Sequence, residues 1–371
     1  MPRALLGSAI AKRFLSRYWQ KHPLFVPGAL PGFRSILSWK DLMRLALRDD
    51  VESRLVMREG RRWTLAHGPF RRRDFAALPS RNWTLLVQGV NLHVAEADAL
   101  LRRFAFIPYA RLDDLMVSYA APGGSVGPHF DSYDVFLLQG DGRRRWRIGR
   151  QRDLELRRGL PLKILARFRP EAERVVDAGD MLYLPPDIAH EGVAIDTCST
   201  YSIGFRAPTA QELATGFLDA MRDAVALEGR YRDPDLAPSR EPARMGRELQ
   251  AYAAKIASSL QWNERAIVRW LGAYLTEPKP AVAFAPPRVP LSLSTFALRA
   301  ARNGLRLDSR TQLLYDAAHL FINGEVLRPP AQSRAMLRRL ANARALGPQA
   351  LSPETAGVAY RWYCNGFLHI R

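Results

Sequence analysis

The chain has 371 residues, 47% of them hydrophobic, and carries a formal net charge of +19 at pH 7 with a pI of about 10.6. That length predicts two or three domains, and the apolar content excludes a chain too polar to fold. No run of about 18 apolar residues occurs, so no membrane-spanning helix is expected. The two cysteines, Cys198 and Cys364, have neither CxxC nor zinc spacing. A reducing, cytoplasmic compartment is expected, with both thiols packed as small apolar groups. The charge has two readings: an arginine-rich composition, or a polyanionic neighbour such as RNA.

The start, "MPRALLGSAIAKRFLSRYWQKHP", is basic and free of acids, as a transit peptide can be, but it runs straight into "WQKHPLFVPG" and reads as the first helix of the fold. Up to residue 207 the chain is rich in short strand-like runs punctuated by Gly and Pro. They are "RNWTLLVQGVNL" (81–92), "DDLMVSYAAPGGSVGPHF" (113–130), "DVFLLQG" (134–140), "RRRWRIG" (143–149), "GDMLYLPPDIAHEGVAI" (179–195) and "STYSIGFRAP" (199–208). A sandwich or barrel over 1–207 is expected. At Pro208 the texture changes. Thr209 and Glu212 have capping-box spacing, and helical periodicity follows. The unit 208–277 places Met245, Leu249, Tyr252 and Ile256 on one stripe, which needs either the barrel or a second chain to cover it. After the proline-rich link "TEPKPAVAFAPPRVP", residues 278–371 combine helices with an Asn323-Gly324 hairpin signal, as a winged helix does.

His129 and Asp131 stand two apart, so on a strand they point the same way. With one more imidazole they would form the facial triad of a non-haem Fe(II) oxygenase. His190, delivered by the stiff Pro185-Pro186 corner, is the candidate. Gly140-Asp141-Gly142 reads as a hairpin turn into a strand whose Arg144, Trp146 and Ile148 face inward. A buried Arg144 needs an anion, and the distal carboxylate of 2-oxoglutarate would supply it, with Thr200 and Ser202 adding hydrogen bonds; an internal acid is the alternative.

These residues, together with "RLDDLMVSYAAPGGSVGPHFDSYDVFLLQGDGRRRWRIG", "GDMLYLPPDIAHEGVA" and "YSIGFRAPTAQEL", resemble the JmjC-type 2-oxoglutarate oxygenases. Within them the likeness is to the bacterial ribosomal oxygenases that hydroxylate an arginine of a large-subunit ribosomal protein. The resemblance implies a double-stranded β-helix of the cupin or jelly-roll kind, a helical dimerisation region and a winged-helix domain. It implies Fe(II), 2-oxoglutarate and O2 as cofactor and co-substrates, with His129, Asp131 and His190 on the metal and Arg144 on 2-oxoglutarate. It also implies a substrate site at Asp114, Met116, Tyr133 and Ser202. A guanidinium guest would suit that carboxylate, aromatic wall and flexible apolar floor. The family pattern has asparagine where this chain has Thr200. Expected partners are a large-subunit ribosomal protein, ribosomal RNA beside it, and a second copy of the chain. Rival readings are a histidine-directed ribosomal hydroxylase, a demethylase, and a non-catalytic DNA-binding regulator.

Overall fold

The computed structural model describes residues 8–371 except 235, 239 and 261. The first seven residues of the expected N-terminal helix therefore lie outside the described part. Contacts divide the chain into two compact units, and the larger is discontinuous: residues 1–207, 278–311 and 330–371.

Its first segment runs α1 (Ser8–Arg17), β1 (Leu24–Val26), α2 (Trp39–Ala46), β2 (Ser53–Glu59), β3 (Arg62–His67), α3 (Arg72–Ala76), β4 (Trp83–Val87) and α4 (Ala95–Arg102). The strands β5 (Leu112–Ala120), β6 (Val135–Gln139), β7 (Arg144–Gly149), β8 (Ala172–Val176), β9 (Met181–Leu184), β10 (Ala189–Ala194) and β11 (Cys198–Phe205) follow. They form an antiparallel eight-stranded sheet, β1-β9-β6-β11-β5-β4-β2-β3, and a three-stranded sheet, β10-β7-β8. This is the expected double-stranded β-helix.

Period-two alternation sorts the side chains of the large sheet into two environments. Leu115, Val117, Phe136, Leu138, Tyr201 and Ile203 pack outward under the helices with Phe14, Leu42 and Phe104. Their neighbours Val135 and Leu137 point inward, joining Trp146, Ile148, Val176, Leu182 and Leu184. On β5 and β11, however, several inward positions are polar: Asp114, Ser118, Thr200 and Ser202 are all buried. Polar groups there exclude a plain hydrophobic core and mark the place of a site.

One expectation fails. Gly140-Asp141-Gly142 is not a hairpin turn: β6 pairs with β9 and β11, whereas β7 pairs with β8 and β10. The segment is a corner that carries the chain from one sheet to the other. Gly142 has φ +65°, and a Cβ there would lie 2.2 Å from the Thr197 carbonyl oxygen, so the corner demands glycine. The inward set on β7 is nevertheless as expected, because face alternation does not depend on the partner strand: Arg144, Trp146 and Ile148 are buried and Arg143 and Arg145 exposed.

The later segments of this unit hold α8 (Leu293–Asn303) and β12 (Leu305–Leu307), then α9 (Ala331–Ala343), β16 (Ala345–Leu346), α10 (Pro353–Cys364) and β17 (Leu368–Ile370), with the sheet order β16-β12-β17. Arg344 ends α9 and is buried, donating to the carbonyls of Thr311 (2.9 Å) and Asp308 (2.7 Å) and lying 3.9 Å from Asp98, just ahead of α4's last turn.

The smaller unit, 208–277 with 312–329, contains α5 (Ala210–Ala224), α6 (Arg247–Ser259), α7 (Glu264–Thr276) and a sheet of β13 (Leu313–Tyr315), β14 (Leu320–Ile322) and β15 (Glu325–Leu327). The Thr209–Glu212 capping box and the Asn323-Gly324 turn are both present. Phe321 of the hairpin packs on Gly272 of α7, and Thr276 Oγ1 accepts the Gly324 N–H at 3.1 Å. The α6 stripe is only partly covered within this unit: Met245, ahead of the helix, is 71% and Leu249 45% exposed, whereas Ile256 and Tyr252, whose ring packs on Tyr231, are half-buried.

Candidate metal and co-substrate site

Contrary to expectation, His129 and Asp131 lie not on a strand but in the loop between β5 and β6, where the His129 backbone exchanges both hydrogen bonds with His190 on β10, at 2.9 and 2.8 Å. That bridge brings the two imidazoles together, tilted by 56° with ring centres 4.2 Å apart. Each ring nitrogen Nδ1 faces a carbonyl, Gly127 O at 2.9 Å for His129 and Ile188 O at 2.8 Å for His190. A carbonyl only accepts, so Nδ1 carries the proton and each Nε2 keeps its lone pair for a ligand. Asp131 Oδ2 is 3.7 Å from His190 Nε2, and one ligand atom from each of the three residues lies within 4.8 Å of the others. Burial, and secondarily the neighbouring His129, pulls the pKa of His190 down to about 4, so it is a neutral ligand at physiological pH. The loop is pinned by Asp134, fully buried, which accepts from Tyr183 Oη (2.6 Å) and Gln20 Nε2 (3.0 Å).

On the facing ladder His190 pairs with Ile148, Gly192 with Trp146 and Ala194 with Arg144. His190 and Arg144 therefore share a face, four residues or about 13 Å apart along the strands. Trp146 lies flat between them because position 192 is glycine: a Cβ there would stand 2.7 Å from the indole. Arg144 is 5% exposed. Its contact to Ser118 Oγ is long, 3.5 Å, and its Nε, like Trp146 Nε1, has no hydrogen-bond partner. Among the described residues no acid lies within ion-pair distance of it, which excludes the internal-acid alternative there. Two buried donors without acceptors on the face that carries a metal ligand fit a small dicarboxylate such as 2-oxoglutarate.

Thr200 and Ser202 face inward as expected. Thr200 sits opposite Ser118 and Gln139 in the ladders, and its hydroxyl donates to Gln139 Oε1 at 3.0 Å. Ser202 stands opposite Met116. Two strand positions further, Asp114 accepts the Gly89 N–H at 3.1 Å. A Cβ at Gly204 would meet both Asp114 Oδ1 (3.4 Å) and the Tyr133 ring (3.9 Å), so those two side chains flank the same glycine. Burial raises the pKa of Asp114 and of Tyr133, the nearby Asp131 adding to the latter. Sequence reasoning missed Ser118 and Gln139. Ser118 has the parity of Asp114 and Met116 on one strand, which was a usable signal; Gln139 gave none.

A two-sheet β-helix with two histidines and an aspartate at its mouth, and a buried unpaired arginine deeper in, defines a JmjC-type 2-oxoglutarate oxygenase. A profile of the JmjC domain matches residues 99–213, and one of the ROXA-like winged helix matches 259–369. The ribosomal protein uL16 3-hydroxylase of Escherichia coli strain K12 is 36% identical over 340 residues, 90% of this chain and 89% of that one. The X-ray structure of E. coli ycfD superposes with a TM-score of 0.85 at 32% identity, covering 97% of this chain and 98% of that one. The structure of the ribosomal oxygenase YcfD with cobalt and 2-oxoglutarate gives a TM-score of 0.82, again at 32% identity over 97% and 98% of the two chains. The chain belongs to this family, the bacterial ribosomal oxygenases. It is thus a dioxygenase that uses Fe(II), 2-oxoglutarate and O2, and the reading as a non-catalytic DNA-binding regulator falls. No helix among the described residues is long and apolar enough to cross a membrane.

Proposed function

We propose that this oxygenase hydroxylates a carbon of an arginine side chain in a large-subunit ribosomal protein, in the cytoplasm and as a homodimer. When bound, iron and 2-oxoglutarate supply the oxidation of a C–H bond by O2, with release of succinate and carbon dioxide. The chain's own residues position and exclude. His129, Asp131 and His190 would hold the metal on one side, leaving the rest of its coordination sphere open. Arg144 would hold the far carboxylate of 2-oxoglutarate, backed by Ser118, with Thr200 and Ser202 lining the same face. Trp146 and the inward aliphatic residues keep bulk water from the reacting centre.

The substrate assignment is carried by Asp114. Its carboxylate is buried, its pKa is raised by that burial, and among the described residues no basic side chain is within ion-pair distance. A guanidinium would relieve it, with Tyr133 as a wall, Met116 as floor and Ser202 beside it. The name of the E. coli relative supports a uL16-type protein as target. The exposed Met245 and Leu249 support the second copy.

Mass spectrometry of ribosomes from a deletion strain should show one protein lighter by one oxygen atom. With purified enzyme, Asp114→Ala should lower kcat/KM on an arginine peptide about thirtyfold or more, near the ~2 kcal/mol of a buried charge-assisted contact. Iron and 2-oxoglutarate binding should stay intact. A lysine peptide should be poor, since an ammonium lacks the guanidinium fork. Equal turnover of a lysine or histidine peptide overturns the arginine assignment.

A further inference from the structure

Several basic side chains of the oxygenase unit have acids assigned to them. Arg167 is held by Asp153 (2.8 Å) and Glu155 (2.9 Å), Arg143 by Asp196 (2.9 Å), and Arg147 by Glu191. Five at the mouth of the site do not. Arg61 and Arg62 lie at the turn between β2 and β3, and Arg157, Arg158 and Lys163 lie on a hairpin closed by the Leu156–Leu165 bridge, between β7 and β8. All five are exposed. Among the described residues none is within ion-pair distance of an acid, although Glu59 stands opposite Arg62 in the ladder.

The two hairpins make one surface. A Cβ on Gly127 would lie 3.0 Å from Ile164 Cδ1 and 3.4 Å from Trp63 Cη2, so both side chains close over the same residue. They share a buried cluster with Val56 and Leu86, against which Met116 also packs. Arg62 and Lys163 are the chain neighbours of that packed pair, and alternation turns them to the opposite, solvent side. The Leu165 N–H donates to Pro128 O at 2.8 Å, one residue before the metal-site His129. The basic surface thus borders the mouth through which a substrate segment must pass.

Clustered like charges repel unless an anion meets them. Four of the five are guanidinium groups, whose forks match phosphate oxygens, and the net charge of +19 favours a polyanion over an isolated ion. We propose that these two hairpins form an RNA-backbone docking surface beside the catalytic mouth, holding ribosomal RNA while an adjoining protein segment enters the site. The identity of the RNA rests on the ribosomal reading; the contact itself is a property of the surface and is tested without turnover.

The test is fluorescence anisotropy of the full-length protein with a labelled single-stranded RNA over a salt series. Arg157→Glu, Arg158→Glu and Lys163→Glu combined should weaken binding about tenfold or more and flatten the salt slope by about 2, the value for three lost phosphate contacts on a single strand. Arg61→Glu with Arg62→Glu, on the other hairpin, should weaken it independently. Lys12→Glu, Arg13→Glu and Arg17→Glu combined make the same charge change on exposed positions of α1 and should leave affinity near wild type. The proposal is overturned if the α1 variant loses as much as the hairpin variants, if the hairpin variants bind like wild type, or if polyglutamate binds as tightly as RNA at equal salt. Hydroxylation of a short arginine peptide, measured alongside, should be unchanged in the hairpin variants. A wild type that binds RNA but leaves that peptide unmodified counts against the substrate assignment and leaves the RNA surface standing.

Discussion

Arg144 shows how much a single side chain states about its ligand. Folding buries its guanidinium without an acid, a cost recovered only when an anion arrives. Arg144→Ala should weaken 2-oxoglutarate binding by about 2 kcal/mol, or thirtyfold, in a direct titration. Arg144→Lys should recover only part of that, because the fork is lost. An unchanged affinity would mean that β7 presents another residue to the co-substrate. His190 makes a second statement, through pH. Its folded pKa, about 4, lies below the ordinary histidine value, so between about 4 and 6.5 the unfolded chain binds a proton that the folded metal-free chain refuses. Stability of the chelated protein should be level above about pH 6.5 and fall as pH drops toward 4. Denaturant titrations at three pH values check this, with His190→Gln expected to lessen the slope.

At the scale of elements, the comparison with sequence is uneven for a physical reason. Face alternation is local, so the inward Arg144 could be read from period two alone. His129 and Asp131 converge with His190 although neither lies in a strand, so alternation is not what aligns them. Strand pairing is not local. A Gly-Asp-Gly segment looks the same whether it turns a hairpin or steps between sheets, and here it steps, which the sequence had no means to announce. Gln139 belongs to the same class: its role arises from β11 being laid beside β6, sixty residues later. The α6 stripe was readable as apolar, but not what covers it. Leu249→Glu with Ile256→Glu should convert the proposed dimer to folded monomers in analytical ultracentrifugation, since each charge would enter an apolar contact. A monomeric wild type would remove the dimer.

The whole molecule depends on one more buried arginine. Burial, and then the nearby Arg102, draw the pKa of Arg344 down to about 10, yet it stays charged and is held by backbone carbonyls and the edge of Asp98. Arg344→Ala strands those acceptors and should cost about 2 kcal/mol in denaturant unfolding while leaving 2-oxoglutarate affinity unchanged. A loss of affinity without a loss of stability would instead place this arginine in communication with the site. The same contact has a consequence for biosynthesis. Because the larger unit takes its pieces from 1–207, 278–311 and 330–371, Asp98 and its surroundings leave the ribosome long before the segment that completes them. At roughly 5–20 residues per second the wait lasts on the order of ten seconds or more. A nascent chain paused or cut short after residue 190 carries the metal ligands yet lacks the closing segment, so arrested synthesis there yields a chain that chaperones and proteases meet before iron does.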